Sequence, residues 1–200
     1  MLEAQNKLEL KIVDNAMPNY RCQIGVKSVG ESQITDLRSL SPYPLSVDGA
    51  YETVLFHGPT FRCLTDIVGL STSGIRVRCR GSEKQKTWLN SAISPQRVSD
   101  PLVIDAALQA VILWGWADHH ALSLPMAIGN YRQFTWPFAE GFFTIDVAIT
   151  KSTSSMIEAN ATIADVHGQR IAELEKCEFI VSDRLFAAFG KSRATAGAVR

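Results

Sequence analysis

Apolar and polar residues alternate along both ends of this chain, and the alternation stops in the middle. LELKIV at 8–13 and YRCQIGVKSV at 20–29 have the period of strands, and the turn between them at 14–19, containing Pro18, makes them a hairpin. Residues 31–50 include SLSPYPLS and follow neither the strand nor the helix period, so they read as an extended linker over the surface. In the next segment, YETVLFHGPTFRCLTDIVGL, the HGP triplet demands a sharp turn. A turn at 71–74 then leads back into a strand, GIRVRCR, followed by a polar loop at 81–100.

PLVIDAALQAVILWGWA at 101–117 has only two strongly polar side chains, Asp105 and Gln109. A helix apolar on all sides is buried all round, and positions four apart stack on one side of it, so a carboxylate stands beside a carboxamide in greasy surroundings. A carboxylate taken out of water holds its proton more tightly, which suits a proton donor. The spacing equally allows a second reading, in which Asp105 satisfies backbone donors near the helix start. Ser99 or Asp100 can cap that start, and Pro101 fits the first helical position.

The C-terminal half reads as four strands: YRQFTWPF, FFTIDVAITKS, MIEANATIAD and QRIAELEKCEFIVS. The turns between them fall at 140–141, 152–155 and 166–168. One long buried helix followed by consecutive strands predicts an α+β domain with a curved antiparallel sheet wrapped around the helix; strand and helix do not alternate as a parallel sheet requires. The predicted organisation is a hairpin at 1–30, a linker at 31–50, the main domain at 51–186 and a small, polar, flexible tail at 187–200.

Composition narrows the function. With 46% hydrophobic residues there is enough apolar surface for a large core, and twenty basic against twenty acidic residues give no field to attract nucleic acid or an anionic membrane. The stretch from Val103 to Ala117, interrupted by Asp105 and Gln109, reads as too short to span a bilayer. The N-terminus lacks the pattern of a secretory signal. Cys22, Cys63, Cys79 and Cys177 are scattered, with no CxxC pair and no histidine at ligand spacing, so the expectation is free thiols in a cytoplasmic protein with no metal and no cofactor. Trp88, Trp114, Trp116 and Trp136 read as core residues, and His119 and His120 as solvated groups at the helix C-terminus.

Three patterns, in order, resemble the dehydratase domains of polyketide and polyunsaturated fatty acid synthases: VLFHGPTF at 54–61, DAALQ at 105–109 and LPMAI at 124–128. They are similar to that family's turn motif (GYxYGPxF or LFHGPxF), its catalytic DxxxQ and its LPFxW. The closing ATIADVHGQRIAELEKCEF resembles its final hairpin. The resemblance implies a hotdog fold, the C-terminal half of a double hotdog, with the first hairpin as a possible remnant of a preceding one. It also implies a substrate, a 3-hydroxyacyl thioester on acyl carrier protein, and a reaction, syn or anti elimination of water to the 2-enoyl product.

By that resemblance Asp105 is the general acid and Gln109 orients it, while His57, Gly58, Pro59, Leu124 and Pro125 contact substrate. The helix N-terminus would face the thioester carbonyl. His57 would donate to the substrate hydroxyl as the family's Tyr does, or else be a turn residue satisfied by backbone. The family's base, a His in HxxxGxxxxP, is missing, because none of His57, His119, His120 or His167 has Gly four residues on. Partners implied are acyl carrier protein, other synthase domains, and a second hotdog in a homodimer or pseudo-dimer. The alternatives are an inactive relative with a structural or acyl-binding role and a hotdog thioesterase, ranked last because no nucleophile or base is expected beside Asp105.

Overall fold

The computed structural model describes residues 7–14, 17–25, 37, 39–82, 99–136 and 138–189, the first two segments by their backbone. The polar loop beyond residue 82, Trp88 and the end of the tail lie outside them. The chain divides into two compact units, 1–33 and 34–200. In the first, β1 (Lys7–Asp14) pairs antiparallel with β2 (Met17–Gly25). Pro18 was expected in the turn, but it lies within β2 opposite Val13, beside an irregularity in register between Ile12 and Val13. Proline is tolerated in a strand at such a place because the ladder there needs no N–H from it.

The second unit begins inside the stretch expected to be a linker. Ser46 caps a short helix α1 (Val47–Thr53) by accepting the Gly49 N–H at 3.1 Å. Ser41 exchanges both backbone hydrogen bonds with Leu70, at 2.8 and 2.9 Å, and so covers the outer edge of a strand. Leu37 and Tyr43 are buried. A segment without periodicity can still be anchored by single residues, which pattern reading does not detect. Then come β3 (Leu64–Ser71), β4 (Gly74–Arg80), α2 (Pro101–His119), β5 (Leu122–Gln133), β6 (Phe142–Thr153), β7 (Met156–Asp165), β8 (Arg170–Ser182) and α3 (Arg184–Ala188).

The sheet order is β3-β4-β6-β7-β8-β5, antiparallel throughout, with β3 and β5 at the edges. Alternation places Ile75, Val77 and Cys79 of β4, Phe143, Ile145 and Val147 of β6, and Ile157, Ala159, Ala161 and Ile163 of β7 on the inner face. α2 packs on β4, β5, β6 and β7. The approach is close: a Cβ on Gly115 would lie 2.7 Å from Ile157 Cδ1. Bulges let the sheet curve around the helix. At one of them Lys176 adopts φ 52° while its N–H bonds Asn160 Oδ1 at 2.8 Å. This α+β arrangement, a long helix packed on one antiparallel sheet, is the hotdog fold.

Several elements differ from the pattern reading. β5 begins at Leu122 and ends at Gln133, so of YRQFTWPF only its first three residues are strand. Pro125 hid the rest, because proline argues against a strand; here it sits on an edge, next to a bulge between Pro125 and Ala127. Trp136 is not a core residue, being 62% exposed, whereas Trp114 and Trp116 are buried. α3 and Phe189 run into the stretch expected to be loose, because Phe186 is buried and Phe189 stacks on Phe56 at 4.1 Å. At 19 residues α2 is long and apolar enough to cross a membrane, by length and composition only. In this fold most of it is enclosed by its own sheet.

Candidate functional site

Asp100, not Asp105, caps α2. Its Oδ1 accepts the Leu102 N–H at 2.9 Å and the Val103 N–H at 3.4 Å, and the carboxylate also takes the Ser82 N–H at 2.7 Å and the Ser82 hydroxyl at 2.6 Å. Such a cap is worth about 1 kcal/mol. It also places a carboxylate on the helix N-terminus, the end expected to face a thioester carbonyl, and occupies the Leu102 and Val103 amides there.

Asp105 is thereby freed from backbone duty. Positions 101, 104, 105 and 108 of α2 form a stripe at spacings of three and four, and all are half-buried while the neighbouring positions are buried. The stripe comprises Pro101, Ile104, Asp105 and Leu108. The Asp105 side chain therefore keeps 22% of its surface open instead of being sealed in the core. Its Oδ2 accepts from Gln109 Nε2 at 2.6 Å, as the four-residue spacing implies.

Gln109 is fully buried and fully occupied. Nε2 donates to Asp105 and also to the Phe61 carbonyl at 2.8 Å, while Oε1 accepts the Tyr51 hydroxyl proton at 2.8 Å. Two acceptors on one side and a hydroxyl on the other fix which way the amide points. The Tyr51 oxygen in turn accepts the Leu64 N–H at 3.1 Å, and the Arg62 guanidinium lies 5.3 Å from the centre of the Tyr51 ring. Burial holds the Tyr51 hydroxyl well above its usual range, so it stays protonated and can donate.

The HGP turn delivers His57 to the same place. Pro59–Phe61 forms one turn of 3-10 helix, closed by the Phe61 N–H on the Gly58 carbonyl at 2.9 Å. His57 Nε2 lies 3.4 Å from Asp105 Oδ2, and the imidazole is only 12% exposed. It stacks on Phe56 at 4.7 Å, and Arg62 Nε donates to its carbonyl at 3.3 Å. Burial lowers its proton affinity below the usual value of 6.5, with the Asp105 charge opposing the shift. A histidine therefore stands beside Asp105; the resemblance had put His57 among the substrate contacts, and no base had been expected next to the acid.

The other expected site residues are placed differently. Gly58 and Pro59 are exposed on the turn, and Gly58 has an ordinary φ of −70° with open space where a Cβ would be. Leu124 and Pro125 stand at the start of β5, opposite Ile180 and Phe179. That strand begins past the C-terminal end of α2, whereas Asp105 is in its second turn. No described hydrogen bond or ion pair joins Leu124 or Pro125 to the Asp105 cluster. His119 is not free in solvent either: its Nε2 lies 2.7 Å from Ser152 Oγ, and His120 ends the helix at φ 53°. Tyr51 and the Phe61 carbonyl were missed, and their only sequence signal was proximity to LFHGP. Among the described residues no group of three His, Cys, Asp or Glu is placed to hold a metal.

Comparison with known proteins gives a consistent family. The family model described as "Polyketide synthase dehydratase N-terminal domain" matches residues 33–185. A polyunsaturated fatty acid synthase polypeptide from Thraustochytrium sp. is 28% identical over 123 residues, which are 58% of this chain and 4% of that protein. Among solved structures, an inactive mutant of the CurJ dehydratase superposes with a TM-score of 0.59 at 15% identity, over 91% of this chain and 65% of that one. The dehydratase domain of RzxB from Pseudomonas fluorescens gives 0.51 at 18% identity, over 68% of this chain and 48% of that one. The structural matches establish the fold, and the chain spans less than two thirds of each of these proteins. With the family model covering most of its length, the chain belongs to the polyketide synthase dehydratase family.

Proposed function

We propose that this chain is the acid-bearing hotdog of a dehydratase acting on 3-hydroxyacyl thioesters carried by acyl carrier protein within a cytoplasmic multidomain synthase. The observation that carries this reading is the Asp105 carboxyl, set in a half-open apolar stripe and oriented by a buried glutamine 2.6 Å away. The matched model is described as an N-terminal domain; the DxxxQ at 105–109 and the missing HxxxGxxxxP favour the second hotdog of a pair.

In the reaction, a base removes the C2 proton, which the thioester makes acidic. The electron pair forms the C2–C3 double bond while the C3–O bond breaks, and the Asp105 proton goes to the departing hydroxyl, leaving as water. Leu108 and Ile104 flank the acid and suit an acyl chain, and the exposed Gly58 and Pro59 turn suits the pantetheine arm.

The base belongs to a second hotdog. Strand β5 is the place for it: its pairing among the described residues is with β8 alone, and Met126 (65% exposed) and Ile128 (40%) make that edge apolar. Leu124 and Pro125 would then act at this joint rather than beside Asp105. The missing base motif also supports an inactive relative that only holds acyl chains.

One assay separates the two readings. The chain is supplied with a hotdog bearing HxxxGxxxxP and given 3-hydroxybutyryl and crotonyl thioesters on a carrier protein, and loss or gain of water is read by mass. Turnover that Asp105→Asn abolishes, with carrier binding kept, is the expected result. Binding without turnover would establish the inactive reading, and turnover surviving Asp105→Asn would overturn the role of the acid.

A further inference from the structure

His57 reaches the acid in a specific way. Asp105 Oδ2 already takes the Gln109 Nε2–H at 2.6 Å, and His57 Nε2 approaches that same oxygen at 3.4 Å. The separation is long for a hydrogen bond, as contacts between catalytic groups often are before substrate binds. The other ring nitrogen, Nδ1, is buried and has no hydrogen-bond partner. A neutral imidazole carries one N–H and one lone pair. Orphaned buried N–H groups are rarer in folded proteins than under-used acceptors, so the proton belongs on Nε2, facing the carboxylate, and the lone pair on Nδ1.

That arrangement settles two matters. The lone pair is enclosed by protein, so His57 is closed to the role of the missing base. With Gln109 Nε2–H bonded to Oδ2 and His57 Nε2 3.4 Å from the same oxygen, Oδ1 is left as the oxygen able to carry a proton to the substrate. We propose that His57 is a positioning residue for the acid, paired with Gln109, so that the donated proton sits on Oδ1 on the open side of α2. This rests on the dehydratase reading.

The ring is held for the task. Phe189 stacks on Phe56 at 4.1 Å and 12°, and Phe56 on His57 at 4.7 Å and 18°, so a three-ring column fixes the imidazole plane. A phenylalanine at position 57 would keep that column and lose only the donor. A glutamine would lose the ring and retain an Nε2–H of similar reach.

These two substitutions therefore test the proposal in opposite directions. Measured on the chain supplied with a second hotdog, with 3-hydroxybutyryl pantetheine as substrate, His57→Phe should lower kcat by about 10- to 100-fold, the scale of lost supporting contacts in metal sites, and leave KM nearly unchanged. His57→Gln should recover most of the rate. The reverse order, Phe active and Gln dead, would mean that the ring only packs, and would overturn the proposal. If Asp105→Asn abolishes turnover while His57→Phe is silent, the role of His57 falls and the dehydratase reading stands; turnover surviving Asp105→Asn sinks both. A readout independent of activity uses the full chain with ¹⁵N-labelled histidine: NMR should show His57 as the Nε2–H tautomer, and a dominant Nδ1–H form would overturn the proposal without any assay.

Discussion

Removing a single oxygen from Tyr51 probes how the site is built into the fold. Tyr51→Phe keeps the ring, its volume and the Arg62 contact, but deletes the hydroxyl that donates to Gln109 Oε1 at 2.8 Å and accepts from the Leu64 N–H at 3.1 Å. Both groups lie in buried residues, so neither regains a partner from bulk water. An orphaned buried polar group costs about 1–3 kcal/mol, giving roughly 2–6 for the pair. Relief from burying the hydroxyl itself returns about 1–3. The net loss expected is therefore about 1–3 kcal/mol. With a urea slope of roughly 2 kcal/mol/M, the unfolding midpoint should fall by about 0.5–1.5 M at unchanged slope. In a Gln109→Leu background the same change should cost much less, because one of the two orphans is no longer created. A midpoint that moves by less than about 0.3 M, or costs that simply add in the double variant, would refute the linked network.

Other outcomes follow from neighbouring features. Gln109→Glu turns a donor to two acceptors into a third acceptor, so it should destabilise the chain by about 2 kcal/mol or more in urea unfolding and disable the acid. Gly74→Ala would drive a Cβ into the Val147 carbonyl oxygen, so β4 and β6 should separate and circular dichroism should show a loss of sheet. Because native His57 binds its proton less tightly than the usual 6.5, stability should be intact above that pH and decline as the pH falls through the lowered native value. His57→Gln should remove that part of the acid sensitivity. Burial pushes the Cys177 thiol up from 9.0 to about 12, so thermal stability should drop as pH rises through that window, less so in Cys177→Ala. Replacing Met126 and Ile128 with Lys should leave the melting temperature close to that of the parent and weaken association with a second hotdog, as followed by light scattering.

The fold was legible wherever one face of an element is buried. Strict alternation in MIEANATIAD gives a strand with every second residue inside, and an apolar run without a polar face gives the enclosed helix. The Asp105 and Gln109 contact was legible too, because i and i+4 are neighbours on any helix. Tyr51 was not, since it lies 58 residues from Gln109 and meets it only once α1 and α2 are packed, and His57 was reached only through the likeness of VLFHGPTF to a family motif. Leu124 and Pro125 show the converse: they are close to the acid in motif order, yet about 21 Å of helix separates Asp105 from the end where β5 begins. Single residues did the rest, Ser41 anchoring a stretch without period and Pro125 concealing an edge strand.

The two edges of the sheet are unequal, and this limits what the chain can build. On β3 the Ser41 and Leu70 bridge takes up backbone groups that another strand would need, and it fits so closely that a Cβ on Gly69, at φ 157°, would lie 2.6 Å from the Ser41 oxygen. On β5 nothing comparable stands in the way among the described residues. A sheet with two open edges can go on adding neighbours into a fibre, whereas one blocked on one side accepts a single neighbour and then stops. Two such sheets, were they to meet at β5, would present only their blocked sides outward, so assembly by that edge would be finite at two. Loosening the Ser41 bridge should then show first as growth beyond the pair rather than as unfolding.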